Sequence, residues 1–352
     1  MVHPLLAKSE AASFRALMGL PPLLMRPLAG RPVVLDGQVL DLETQWLLRL
    51  QKLLREPPAE TLPFDEARRT LVRHSRLAGG SQPIGECRDL EVPGADESLP
   101  ARLYTPRSQV EAPPAGGSAL LVFIHGGGMM YGDLESHDAV CRFLAERADL
   151  RVLAVDYRLA PEHPFPAAVD DCWAAYQWVA ENAATLGADP DRLAVGGDSA
   201  GGYLSAVTAI KAADAGVPLR YQLLVYPVTN MAEQSDSRRL FGKDFYLTSE
   251  FISLAEESYL VSGQDRRDPL VSVAFTEKVP ENLAPAFVAT AGFDPLRDEG
   301  EAYARLLADA GATVQLKRYP GFIHGFLNIV GVGHNARAAV AEMAVKLKAA
   351  VR

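Results

Sequence analysis

Leu193-Ala194-Val195-Gly196-Gly197-Asp198-Ser199-Ala200-Gly201-Gly202 is the stretch on which the fold turns. It opens as a short apolar run suited to a buried strand and leaves through small residues that continue as a helix. Between the two, Gly197-Asp198-Ser199-Ala200-Gly201 fits G-x-S-x-G, a sharp strand-to-helix turn that lifts a serine hydroxyl above the edge of a sheet. Glycine is needed on both sides because backbone packs there too closely for a Cβ. Ser199 is the candidate nucleophile.

Outward from this turn the chain alternates. Apolar-rich runs at 120–124, 152–157, 193–196, 222–226, 286–291 and 314–318, bounded by turn residues, suit parallel strands covered on both faces. Stretches 137–147, 167–184, 200–213, 299–310 and 336–351 carry apolar residues at helical spacing, with Gly187, Gly216 and Gly311 placed to end helices. Two strands at 86–92 and 99–104, joined by a turn at Pro93-Gly94, add an antiparallel edge. The fold class is α/β, a mostly parallel central sheet flanked by helices, with its site at the C-terminal ends of the strands.

Two regions break the rhythm. Residues 1–84 have helical patterns and no convincing strand, and residues 229–265 are polar, then aromatic and helical. The expectation is a catalytic core made of 85–228 and 266–352, with 1–84 and 229–265 meeting as a helical cap over the active edge.

His125-Gly126-Gly127-Gly128 follows the apolar run 120–124. Side-chain-free backbone there can aim N–H groups into a cavity, the device that stabilises an oxyanion. The N–H of Ala200, directly after the serine and at a helix N-terminus, is the matching donor. A phosphate loop is excluded by the missing Lys-Ser/Thr ending and the wrong glycine spacing, and His125 reads as a brace for its loop. Where a nucleophile sits on such a turn, the acid and then the histidine follow it in the chain. Only His324 and His334 come after Ser199. His324 lies in a loop beyond the last strand and is the candidate base, whereas His334 begins the last helix. Asp294, just past the strand at 286–291, is placed to accept the imidazole N–H. Its rival Asp298 reads as a helix N-cap.

Taken together, His125-Gly-Gly-Gly, Gly197-Asp-Ser-Ala-Gly, Asp294-Pro-Leu-Arg-Asp-Glu and His324-Gly-Phe resemble the hormone-sensitive-lipase-like bacterial esterases of the α/β-hydrolase fold, in the branch with Asp before the serine. Tyr157-Arg-Leu-Ala-Pro-Glu-His-Pro-Phe-Pro-Ala-Ala is similar to a further stretch of that family, and the likeness runs from about residue 85 to the C-terminus. It implies a Ser199–His324–Asp294 triad and an oxyanion hole of Gly127, Gly128 and Ala200. It further implies hydrolysis of short- to medium-chain carboxylic esters without cofactor or metal, and it admits a homodimer through the sheet edge. Two departures stand out. Met129 and Met130 follow the glycines where many members carry an aromatic residue, and the N-terminal region is longer than in compact members. Met129, Met130, Tyr131, Phe241 and Tyr246 are the candidate pocket residues, with Phe245 and Phe251 beside them.

Bulk properties agree. The 352 residues are 48% hydrophobic and 22% charged, an ordinary globular balance, and the net charge of −9 speaks against nucleic acid or an anionic membrane as partner. Cys87, Cys141 and Cys172 form neither a zinc pattern nor a disulfide scaffold. Charged residues break the N-terminal apolar stretches, so no signal peptide or membrane span is expected and the protein reads as cytoplasmic. The same triad could act on an amide, a lactone or an acyl acceptor. A binding protein on this scaffold would typically have lost the base, which is present here as His324.

Overall fold

The six runs become six parallel strands; the inner ones are buried because the sheet is covered on both faces, whereas the one from 314, at the sheet edge, leaves Gln315, Leu316 and Arg318 exposed. The computed structural model describes residues 4–352. The chain opens with α1 (Pro4–Met18) and α2 (Pro22–Ala29), a small hairpin of β1 (Val34–Leu35) and β2 (Gln38–Val39), then α3 (Leu42–Leu54) and α4 (Phe64–Gly79). The core follows as β3 (Glu86–Pro93), β4 (Ser98–Thr105), α5 (Arg107–Glu111), β5 (Ser118–Ile124), α6 (Asp138–Ala148), β6 (Arg151–Val155), α7 (Ala167–Asn182), β7 (Ala188–Asp198), α8 (Ala200–Ala215) and β8 (Tyr221–Val225). After α9 (Asp236–Phe241) and α10 (Ser249–Tyr259) it resumes with β9 (Ala286–Phe293), α11 (Arg297–Asp309), β10 (Val314–Ile323) and α12 (Asn335–Ala350).

The main sheet has the order β10-β9-β8-β7-β5-β6-β4-β3, antiparallel only where β4 meets β3 and β6. Strands β5, β8 and β9 are buried along their whole length. Helices α7, α8 and α11 cover one face, packing Tyr176, Leu204 and Leu307 against Leu120, Val195 and Val288. On the other face α6 and α12 set Phe143 and Leu347 against Leu121, Leu223 and Phe287. Each fully buried side chain of this size contributes about 1.5–3 kcal/mol, so the double-sided core fixes the strand order.

Several boundaries differ from the sequence reading. β7 begins at Ala188 rather than near 193, since Ser118 pairs with Ala188 across a register shift. β10 continues past an irregularity to pair Ile323 with Phe293. The first 84 residues do contain strand: Asp36 and Gly37 both have positive φ (52° and 71°) and close a two-residue hairpin. Asp298 is not the N-cap of α11. The helix starts at Arg297, and it is Asp294 Oδ1 that accepts from the Leu296 N–H at 2.8 Å, while Asp298 accepts from Ser237 N.

The N-terminal segment and the 229–265 segment touch. Lys52 Nζ lies 2.7 Å from Asp244 Oδ1, and Thr248, the N-cap of α10, donates to Glu60 Oε1 at 2.5 Å. Arg68 on α4 reaches both carboxylate oxygens of Glu162 and the carbonyls of Met130 and Ala160, tying the segment to the core loops.

Candidate active site

β7 runs into Ser199 at φ 56°, ψ −119°, and α8 starts at the next residue. A non-glycine residue held there stores about 1–3 kcal/mol of strain. Close packing enforces it: a Cβ on Gly197 or Gly201 would lie 2.0 or 1.9 Å from the Ile124 carbonyl oxygen of neighbouring β5. Ser199 N donates to Val225 O at 2.9 Å, anchoring the turn to β8 as well.

His324, in the loop after β10, sets Nδ1 2.8 Å from Asp294 Oδ2. Asp294 is fully buried at the end of β9, and its other oxygen is taken by the Leu296 N–H. One carboxylate oxygen is thereby dedicated to the imidazole, and the bond fixes which ring nitrogen faces away from it. The Tyr226 ring lies 4.5 Å from the imidazole. The structure thus brings Asp294 and His324 together, as their chain order led one to expect.

The loop after β5 is held from beneath. Gly126 N donates to Asp198 Oδ1 at 3.0 Å, and Asp198 also meets His137 Nε2 at 3.2 Å and the Tyr226 hydroxyl at 3.4 Å. Burial alone would raise the pKa of Asp198, but His137 and the Gly126 N–H outweigh it and hold the carboxyl below its ordinary range. Gly127 (φ 125°) and Gly128 (φ 65°) adopt backbone that other residues rarely take. Among the described residues their N–H groups have no hydrogen-bond acceptor. Ala200 N, at the first position of α8, belongs to the turn whose N–H groups have no partner within the helix. His125 is buried, stacks on Tyr157 at 4.3 Å and sets Nδ1 3.0 Å from Gly126 O, so it braces the loop. Asp198, His137 and Tyr226 were not singled out from sequence for this support. Asp198 could have been, since it sits between a glycine turn and the serine, whereas nothing local marks His137 or Tyr226.

Two cavities border these groups. A small one, about 30 Å³, is lined by Gly128, Met129, Ser199, Phe251, Ile252 and Ala255 among others. A larger one, about 250 Å³, is lined by His324, Gly325 and Tyr246 on one side and by residues of α1, α3 and α4 on the other. Of the pocket candidates, then, Met129 and Phe251 lie beside Ser199 and Tyr246 beside His324. Met130 and Tyr131 point instead into a cluster with Ala67 and Ala255 beneath α4. Phe241 lines neither cavity: it is fully buried against Phe245 and Phe293, because α9 turns its apolar side onto the end of β9. Among the described residues no group of three or more His, Cys, Asp and Glu could hold a metal ion, and no helix is long and apolar enough to cross a membrane.

Sheet order, elbow and the loop bearing His324 together place the chain among the α/β hydrolases. A family model described as alpha/beta hydrolase fold matches residues 121–328. The chain is 42% identical over 332 residues to the carboxylic ester hydrolase LipN of Mycobacterium tuberculosis, spanning 91% of this chain and 86% of that protein. To the ethyl acetate hydrolase of Pseudomonas putida it is 40% identical, over 77% and 86% of the two chains. A solved ester hydrolase from the metagenome of Lake Arreo superposes with a TM-score of 0.84 at 37% identity, covering 88% of this chain and 98% of that one. The protein belongs to the hormone-sensitive-lipase-like esterase family of the α/β-hydrolase fold.

Proposed function

We propose that the protein is a serine carboxylesterase that hydrolyses short- to medium-chain esters through an acyl-enzyme. Ser199 is the nucleophile, His324 the base, Asp294 its orienting carboxylate, and the N–H groups of Gly127, Gly128 and Ala200 form the oxyanion hole. The observation that carries this reading is the 2.8 Å bond from His324 to a buried Asp294, with the Tyr226 ring between the imidazole and Asp198 of the strained serine turn. Relatives named as ester hydrolases support the activity.

In the first half-reaction His324 Nε2 takes the Ser199 proton as Oγ bonds to the ester carbon, and the carbonyl oxygen gains charge facing the backbone donors. Each donor is worth about 3–4 kcal/mol in the transition state. The imidazolium, steadied by Asp294, then protonates the departing alcohol, and water cleaves the acyl-enzyme by the same path. Residues 1–84 and 229–265 act as the cap over this site. The three unpaired cysteines fit a cytoplasmic setting, and β10, an edge strand with one neighbour, offers a surface for a homodimer.

The test is hydrolysis of p-nitrophenyl esters from two to sixteen acyl carbons by wild type and Ser199→Ala. Turnover at the short end that disappears in a folded Ser199→Ala variant supports the reading. Substantial turnover by that variant refutes it.

A further inference from the structure

We propose that the outer face of α2, with the adjoining ends of α1 and α3, docks onto an anionic lipid surface. The docking stands apart from the reaction proposed above and does not depend on it.

α2 turns apolar side chains both inward and outward. Met25 and Ala29, one turn apart, are buried in the core face shared with Trp46 and Leu50. Every other residue of the helix is exposed, and apart from Arg26 each of them is apolar: Pro22, Leu23, Leu24, Pro27 and Leu28. Leu23 is 84% exposed, Leu24 56% and Leu28 49%. An ordinary surface helix puts polar side chains outward, and a contiguous apolar face marks a surface that meets another apolar phase. The face does not end with the helix. Gln45 on α3 donates to Ala29 O and Arg31 O at the end of α2, and Arg49 and Leu53 follow Gln45 at successive i+4 positions on the same side of α3. Exposed Leu17 and Leu54 carry the apolar surface to the rim of the cavity beside His324, which both of them line.

Charge identifies the partner. Arg26, Arg31, Arg49 and Arg55 accompany these leucines, and among the described residues none of the four meets a carboxylate. The carboxylates of residues 22–56 are engaged elsewhere: Asp36 with Arg297, Asp41 with Thr44 and Asn335, Glu43 with the backbone N–H groups of His334 and Asn335, and Glu56 with Arg73 and His74. The chain-wide charge of −9 therefore does not describe this face, which presents unpaired guanidinium groups among leucines. That combination suits acidic headgroups, with the arginines at headgroup level and the leucines at the acyl boundary below it. A second copy fits less well, since a two-fold pairing through this face would set the same arginines against one another. Docked in this way, the rim at Leu17 and Leu54 faces the lipid, and an ester dissolved there reaches the cavity without crossing water.

The test is cosedimentation of the full chain with vesicles of phosphatidylcholine alone and of equal parts phosphatidylcholine and phosphatidylglycerol. Binding should be at least about tenfold stronger to the acidic vesicles, since each basic residue near such a surface adds about fivefold. It should weaken as salt is raised. Leu23→Ser/Leu24→Ser should lower that affinity at least about tenfold through lost apolar burial, and Arg49→Gln/Arg55→Gln should lower it to a similar degree through lost charge. All four side chains are exposed and line neither cavity. Each variant should therefore melt with wild type and hydrolyse a soluble p-nitrophenyl ester within about twofold of its rate. No binding to the acidic vesicles, equal binding to both kinds, or binding that the leucine variant keeps in full overturns the proposal. So does a wild-type oligomer, seen by sedimentation, that the leucine variant turns into monomers, because the face then belongs to a second copy. None of these outcomes bears on the triad, which Ser199→Ala tests separately.

Discussion

At the scale of single residues, the buried carboxylate that matters beside the proposed triad is Asp198. It accepts from Gly126 N and His137 Nε2 while its neighbour Ser199 holds a strained backbone, so one side chain ties the donor loop to the serine turn. Asp198→Ala should lower kcat about 10–100-fold with a smaller change in KM, because it loosens the loop that carries the proposed oxyanion donors, whose contribution comes in the transition state. Asp198→Asn, which can still accept from Gly126 N, should restore much of that loss. Steady-state kinetics on one short ester checks both. The pH sign follows from its depressed pKa. A carboxyl lowered in the folded state adds stability above its unfolded value of about 4, and that stability is lost as pH falls through the folded pKa. Wild-type melting temperature should therefore drop more steeply below about pH 4 than that of Asp198→Asn. This residue also marks the limit of sequence reading. Ser199, Asp294 and His324 could be picked out because each follows a strand in a fixed chain order. His137 and Tyr226 support the site only through contacts from distant segments, which no local pattern encodes.

At the scale of elements, the elbow depends on how closely β7 and α8 approach β5. Gly201→Ala would press a Cβ to 1.9 Å from the Ile124 carbonyl, a backbone atom held in the sheet that cannot turn aside. The expected outcome is a loss of more than about 3 kcal/mol, read by denaturant unfolding or as failure to accumulate folded protein. α9, α10 and α11 are joined differently, through buried Arg238, which meets Glu299 and Glu256, each at 2.9 Å. Burial raises the pKa of Glu299 and Arg238 only partly offsets it. Arg238→Met would leave that carboxylate uncompensated, at a cost of about 3–5 kcal/mol near neutral pH. A raised carboxyl pKa contributes stability that is full below the unfolded value and is lost as pH rises through the folded one. The variant should thus regain stability on acidification from pH 7 toward about 4.5, measured by thermal melts across that range. Element types were legible because apolar runs and helical spacing differ in period. The β1–β2 hairpin was not, although Asp36-Gly37 signals a turn, since strands of two residues leave no alternation to read.

At the scale of the whole molecule, an N-terminal segment packs Met18, Trp46, Leu47 and Leu50 into one face of the double-sided core and adds polar ties of its own. Arg73 on α4 pairs with Glu10 on α1 at 2.7 Å and with Glu56 ahead of α4. Each of these pairs is partly exposed and worth up to about 1 kcal/mol, too little to move global stability far. Local opening is another matter, because one of these pairs ties α1 to α4, and Glu10 and Phe14 of α1 line the cavity beside His324. Arg73→Ala should leave the main melting transition within about 2–4 °C of wild type. Amide exchange over residues 9–18 should speed several-fold while that of α8 stays at the wild-type rate. If α8 accelerates equally, α1 unfolds only with the core, and the N-terminal segment is part of one cooperative unit rather than a wall that opens on its own.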